Sequence, residues 1–205
     1  MKIGIFGGSF DPIHLGHLWI AESAIETLGL DQVRWIPAAK SPLKPHGPVA
    51  SDQDRLEMVR LAISGAEKHR LDDREIRRGE ISYSVDTVAD LQAEFPTDEF
   101  CLIIGSDSLA LIHKWYQAKK LLERILPAVV QRGGEPDIDF SVLNGLVDPK
   151  RVKMIRDHVI KMPVIEISSS EIRERVAQGR SIRYRVPRSV EALLEARKIY
   201  HDSSR

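Results

Sequence analysis

The sequence predicts an α/β fold: a doubly wound parallel sheet with flanking helices and a helical C-terminal segment, in one domain over residues 1–205. Three observations carry this reading. Short apolar runs alternate with helical patterns, the order that a parallel sheet with crossover helices demands. The first apolar run ends in a glycine turn that passes straight into a helix. The length, 205 residues, suits one such domain with an ample core, and no composition break, repeat or low-complexity segment divides it.

The elements follow in order. Ile3, Ile5 and Phe6 make a buried strand over 2–6, and Gly4 lets another backbone approach. Gly7 and Gly8 turn the chain and leave no side chain to block a ligand. Asp11-Pro12 favours a further turn. A helix over 15–28 begins near His14, with Leu18, Ala21, Ile25 and Leu28 as its apolar stripe and Gly29 as its stop. Further strands are expected at 33–37, 72–77, 100–104, 125–131 and 164–167. Further helices are expected at 52–66, 84–94, 115–122, 170–178 and 187–198. The proline- and lysine-rich stretch from Ala38 to Val49 reads as a loop, and so does Gly133 to Pro149.

Composition narrows the function. Lys plus Arg is 30 and Asp plus Glu is 30, so the formal net charge is zero. That argues against bulk nucleic-acid binding and leaves room only for a local basic cleft. Arg180, Arg183, Arg185 and Arg188 form a basic run that reads as a solvated face. Cys101 is the only cysteine, so no intrachain disulfide forms; within Phe100–Ile104 it reads as a small buried hydrophobe. The apolar opening is too short for a signal peptide, and no run is long enough to span a membrane. A cytoplasmic protein with no membrane partner is expected; the sequence leaves homo-oligomerisation open.

Two segments carry chemistry. In the first, His14 and His17 are three apart at a helix start, with Gly16 between them. The helix end offers free N–H groups and positive partial charge to an anion. Two imidazoles there can donate to phosphate oxygens and, when protonated, neutralise developing charge. No third ligand stands at a telling spacing, so zinc fits poorly. The glycine pattern of a dinucleotide fingerprint is absent. In the second, Ser168, Ser169 and Ser170 precede Arg173 at the start of another helix. Ser168 and Glu171 have capping-box spacing, and both later serines can share a surface with the Arg173 guanidinium. Alone, that segment is better explained by a capped helix with a surface arginine. Beside the first, it suits a polyphosphate.

The run Gly7-Gly8-Ser9-Phe10-Asp11-Pro12-Ile13-His14-Leu15-Gly16-His17 resembles the signature of the nucleotidylyltransferase superfamily, whose His-x-Gly-His is shared with class I aminoacyl-tRNA synthetases. Ile167-Ser168-Ser169-Ser170-Glu171-Ile172-Arg173 resembles the Ile-Ser-Ser-Thr-x-Ile-Arg motif of bacterial nicotinate-nucleotide adenylyltransferases, with serine in place of threonine at 170. Further segments match in the expected order. Pro42-Leu43-Lys44 stands where that family has Pro-Pro-His-Lys, so only Lys44 carries over. Arg55 to Met58, Ser82 to Thr87, Gly105-Ser106-Asp107 and Trp115-Tyr116 resemble its later blocks.

The resemblance implies a Rossmann-like fold and transfer of AMP from ATP to nicotinate mononucleotide, giving nicotinate adenine dinucleotide and pyrophosphate. It assigns His14, His17 and Arg173 to catalysis. Gly7, Gly8, Ser9, Phe10, Lys44, Gly105, Asp107, Ser168, Ser169 and Ser170 would hold ATP. Ser84, Val85, Trp115 and Tyr116 would hold the pyridine nucleotide, and Mg²⁺ would arrive with ATP. On the residues alone, Trp115 is equally a packing anchor, Asp107 a helix cap and Lys44 an exposed lysine. The competing functions are a sister adenylyltransferase acting on nicotinamide mononucleotide or phosphopantetheine, a nucleotide sensor without catalysis, and an RNA-binding protein. Zero net charge and the absence of an aromatic-basic platform disfavour the last.

Overall fold

The computed structural model describes residues 1–43, 46–134 and 136–201. Its strands are β1 (Lys2–Gly8), β2 (Gln32–Pro37), β3 (His69–Leu71), β4 (Glu99–Gly105), β5 (Leu126–Arg132) and β6 (Val159–Met162). They pair in parallel, in the order β3-β2-β1-β4-β5-β6. The helices are α1 (Leu15–Leu28), α2 (Asp52–Ala62), α3 (Arg74–Arg78), α4 (Ser84–Glu94), α5 (Ser106–Ala110), α6 (Ala118–Arg124), α7 (Pro149–Asp157), α8 (Ser169–Ala177) and α9 (Arg188–Ala196). This is the doubly wound, Rossmann-like arrangement that the alternating pattern predicts.

The middles of the central strands, Ile3–Phe6, Cys101–Ile104 and Pro127–Val130, are continuous buried runs because both faces of the sheet are covered. Successive side chains point to opposite faces, so one strand feeds two cores. Cys101 and Ile103 join Val33, Trp35, Ala128 and Val130 beneath α1, α2, α8 and α9. Leu102 and Ile104 join Ile5, Ile36 and Val129 beneath α4 to α7. Trp35, fully buried, tilts against Phe6 at 5.0 Å between ring centres and donates its indole N–H to His69 Nδ1 at 2.9 Å. His69 is thus a satisfied core histidine, completed by Glu22 at 2.9 Å.

Four departures from the sequence pattern have local causes. Residues 72–77, expected as a strand, turn into α3. The Asp72 carboxylate accepts from the Arg74 backbone at 3.2 Å and from its guanidinium at 2.8 Å, the Asp73–Arg77 pair spans one helical turn, and Gly79 at φ 72° ends the helix. The third strand is the short segment before it, His69–Leu71. Residues 164–167 also form no strand: β6 ends before Pro163, which has no N–H to give a ladder, and Val164 is exposed. The helix expected over 115–122 begins at Ala118, because Trp115 is extended and Gln117 sits at φ 49°. The helix expected over 52–66 stops at Ala62, before Gly65 at φ 82°. Helix α7 and strand β6 lie in and beyond the stretch read as loop and carry no pattern strong enough to announce them.

Helix α2 matters to the site because its N-terminal residues buttress the glycine turn. Met58 is fully buried on its inner face. Met58→Ala is expected to lower stability by about 2–5 kcal/mol, the usual cost of a buried methionine truncation. A urea titration reads this as a lower midpoint with an unchanged slope.

Candidate active site

The strand order reverses between β1 and β4, and their pairing ends at Ile5 and Leu102. Beyond that pair the carboxyl ends of the two strands flank the crevice where open α/β sheets take ligands. Gly7 and Gly8 close one strand and Gly105 the other.

His14 is the N-cap of α1, with φ −143° and ψ 170°, and not a first-turn residue. The His17 backbone N–H donates to His14 Nδ1 at 3.3 Å, and the His14 backbone N–H donates to His17 Nδ1 at 3.2 Å. This is a capping box in which two imidazoles take the places usually held by a hydroxyl and a carboxamide or carboxylate. Their rings stack at 3.7 Å. Because each Nδ1 accepts, each neutral ring carries its proton on Nε2. The box therefore supplies two Nε2–H donors side by side.

Burial, and after it the positive charge of Arg132, lowers the pKa of His14 from 6.5 to about 4. His14 is thus neutral at neutral pH, which leaves hydrogen-bond donation, the first of the two roles expected of the imidazoles, as the one it can play there. Gly16 is required for the stack. A Cβ there would lie 3.0 Å from His14 Nδ1. Phe10, buried at φ 46°, sets its ring edge-on to His17 at 5.2 Å and packs on Trp35 at 5.4 Å. That packing holds a backbone conformation that a bulky residue rarely adopts.

The two chemical segments meet directly. Ser168 caps α8 by accepting from the Glu171 N–H at 3.2 Å. The Glu171 carboxylate turns to Arg185 at 3.2 Å, so only half of the capping box forms. Ser169 Oγ donates to the Pro12 carbonyl at 2.9 Å. Arg173 donates to the Asp11 carbonyl at 2.7 Å and approaches Ser170 Oγ at 3.4 Å. The second segment is thereby bolted to the loop that precedes the histidine box. Arg188 pairs with Glu191 at 2.8 Å and Arg180 with Glu174 at 3.6 Å, so the basic run is partnered surface charge, as read from the sequence.

On the far side of the box, Ser84 and Val85 open α4. Its N-cap, Tyr83, makes no side-chain cap, and neither Ser84 nor Val85 N–H has an acceptor among the described residues. The turn before them is braced. Ser82 Oγ accepts from Ala39 N–H at 2.9 Å, and Thr87 Oγ1 donates to the buried Glu75 at 2.6 Å. Tyr116 lies over Tyr83 at 4.4 Å and is exposed, whereas Trp115 is half-buried against the α4-side core and its indole N–H has no partner there. Asp107 is exposed in the first turn of α5 and accepts from the Ser108 N–H at 2.8 Å; the N-cap is Gly105, and no side chain caps the helix. A Cβ at Gly105 would meet the Asp107 carboxylate, and that exposed side chain would have to turn away. Lys44 lies outside the described residues.

Two cavities flank the box in the sheet order. One, about 490 Å³, is lined by Arg132, Gly133, Val164, Ile165 and Ser168, at the ends of β5 and β6. The other, about 520 Å³, is lined by Lys40, Arg78, Tyr83, Asp86 and Tyr116, beyond β2 and α4. The sequence did not single out Arg132, Arg78 or Lys40 for these walls. It also missed Asp11 as more than a turn residue, and Arg55. Asp11 is buried and accepts from Val49 N–H at 2.8 Å and Ala50 N–H at 3.0 Å. Arg55, fully buried, donates to the Ser9 carbonyl at 2.7 Å. Its one legible signal is a cation on the buried face of α2, three residues before Met58.

Comparison with known proteins gives the following. Residues 5–175 match the family described as cytidylyltransferase-like. A protein of Rhodopirellula baltica named "Probable nicotinate-nucleotide adenylyltransferase" is 53% identical over 198 residues, covering 97% of this chain and 92% of its own length. One of the same name from Salinibacter ruber is 38% identical over 200 residues, covering 98% of each. The structure of Plasmodium falciparum nicotinic acid mononucleotide adenylyltransferase complexed with NaAD superposes with a TM-score of 0.76 at 19% identity, covering 98% of this chain and 97% of that one, which attests the fold.

The histidine box has a consequence for stability. Between pH 6.5 and about 4 the unfolded chain takes up a proton that folded His14 refuses. The unfolded state then binds more protons, so stability falls as pH drops through that window, by about 3 kcal/mol in all. Denaturation midpoints across pH are expected to show this slope, and His14→Gln to remove its share. An unchanged slope in the variant would place the proton uptake elsewhere.

Proposed function

The chain belongs to the cytidylyltransferase-like family and, within it, to the nicotinate-nucleotide adenylyltransferases, and we propose that the crevice transfers AMP from ATP to nicotinate mononucleotide by the following division of labour. The observation that carries it is the paired-imidazole box bonded, through its own loop, to the serines and arginine of α8.

A phosphate oxygen of the mononucleotide attacks the α-phosphorus of ATP in line. The bond from that phosphorus to the bridging oxygen breaks, and pyrophosphate leaves. The attacking oxygen is already anionic, so no general base is needed. Rate then comes from positioning and from donors aimed at developing charge. The Nε2–H groups of His14 and His17 serve the α-phosphate and its bridging oxygen, with His17, the more accessible ring, nearest the reacting centre. Gly7, Gly8, Ser9 and Phe10 offer backbone to the phosphates. Ser168, Ser169, Ser170 and Arg173 hold the β- and γ-phosphates and stabilise departing pyrophosphate; by the resemblance alone, Lys44 adds a cation to the phosphates.

The two cavities divide the substrates. The adenosine enters the one lined by Arg132 and Gly133, with Gly105 and Asp107 toward its ribose. The pyridine nucleotide enters the other, its ring against Trp115 and Tyr116. The unsatisfied N–H groups of Ser84 and Val85 at a helix N-terminus favour a carboxylate over a neutral amide there. Among the described residues no three His, Cys, Asp or Glu side chains cluster to hold a metal. Mg²⁺ would come with ATP, carried on phosphate oxygens and water, and would there neutralise charge on the polyphosphate. A cytoplasmic setting suits a chain with one cysteine, Cys101, and so no intrachain disulfide. Among the described residues no helix is long and apolar enough to cross a membrane.

Pyrophosphate release is measured from Mg²⁺-ATP with nicotinate mononucleotide, nicotinamide mononucleotide or phosphopantetheine in parallel. Preference for the nicotinate substrate is expected, and turnover with another acceptor alone would move the chain to a sister activity. His17→Ala is expected to lower kcat by about a hundredfold or more, the cost of losing a donor to transition-state charge, and to lower stability far less, by about 1 kcal/mol for half of the capping box. Equal loss of stability would make His17 structural. Gly16→Ala is expected to lower kcat at least about tenfold, because the methyl displaces His14 from the box.

A further inference from the structure

The chain leaving α9 returns to the floor of the crevice. Tyr200, at φ 67°, buries its ring in the same core as Phe10 and Trp35. Its hydroxyl donates to Asp11 Oδ1 at 2.6 Å, across 189 positions of sequence. Asp11 thereby receives three donors: the Tyr200 hydroxyl and the Val49 and Ala50 N–H groups. Burial, then the charge of Asp11, raises the Tyr200 pKa, so the hydroxyl stays a donor.

Arg173 lies beside this carboxylate and does not close on it. Its Nη1 is 3.7 Å from Asp11 Oδ2, whereas a charge-assisted bond runs to about 2.7–2.9 Å. The same Nη1 donates to the Asp11 carbonyl at 2.7 Å, which fixes where the guanidinium stands. A buried carboxylate short of donors attracts a neighbouring guanidinium strongly, because little water screens the pair. A carboxylate with its donors in place does so much less.

We propose that Tyr200 is a positioning residue for the transfer reaction: by satisfying the Asp11 carboxylate it keeps the Arg173 guanidinium from closing on Asp11 and leaves it to the polyphosphate. This rests on the reading of Arg173 as the group that holds pyrophosphate. It adds a residue from the far end of the chain that touches no substrate and acts through two others.

Tyr200→Phe keeps the ring and removes only the hydroxyl. With Mg²⁺-ATP and nicotinate mononucleotide, kcat is expected to fall about tenfold, the scale of one lost bond to a charged group. KM for the mononucleotide should stay within about twofold, since that site lies across the box. The deciding measurement is the double-mutant cycle. Added to Arg173→Ala, Tyr200→Phe should cost less than about twofold. Added to Asp11→Asn, which removes the competing charge, it should likewise cost less than about twofold. The same loss in every background would make Tyr200 a packing residue and overturn the proposal, as would no loss in the otherwise intact enzyme. Full activity of Arg173→Ala by itself would instead overturn the role of Arg173, a failure that the cycle separates from this one.

Discussion

A buried carboxylate needs donors, and the site is organised around the one at Asp11. Val49 and Ala50 bring the start of α2 to it and Tyr200 brings the end of the chain, while Arg173 ties α8 to the backbone carbonyl of the same residue. These partners come from three separate parts of the sequence, so one residue draws together segments that no local signal connects. Arg55 adds a second tie, from inside α2 to the Ser9 carbonyl. Removing a partner from a buried charge costs far more than the same change at the surface, which makes this cluster a constraint and not a decoration of the loop.

Upon that floor stands the histidine box. Its two imidazoles spend Nδ1 on capping the helix, which puts the proton of each neutral ring on Nε2. The arrangement joins structure to chemistry: the bonds that begin α1 also select the tautomer that a phosphate needs. It also explains why burial of His14 is tolerable, since the neutral ring is the form the cap uses. A protonated ring would lose its bond from the His17 N–H. The rate enhancement asked of the site is therefore electrostatic and positional, with donors held in place before substrate arrives.

How much was legible follows from which interactions are local. Helix α4 spans the same residues, 84–94, in sequence and structure, because its apolar spacing and its polar start both lie inside the window that periodicity reads. The segment 72–77 misled because Ile76 among charges resembles half of a strand, while the Asp72–Arg74 and Asp73–Arg77 contacts that bend it are side-chain events. The segment 164–167 alternates like a strand and stays unpaired, since the edge position it would need is held by β6. Among site residues, His14, His17 and Ser168 to Arg173 were visible as motifs. Asp11, Tyr200 and the cavity wall at Arg132 were not, because burial and a distant partner define their roles.

The sequence by itself determined the α/β alternation, the glycine turn into a histidine-bearing helix, the serine–arginine helix start and, through their resemblance, the family. These are short-range patterns, and short-range geometry follows from residue type. Only the tertiary structure decided that the two segments bond to each other, that His14 is a neutral N-cap and not a cation, and that Tyr200 closes on Asp11. Those outcomes depend on desolvation and on contacts between residues more than a hundred positions apart, and neither is written in any window of the chain.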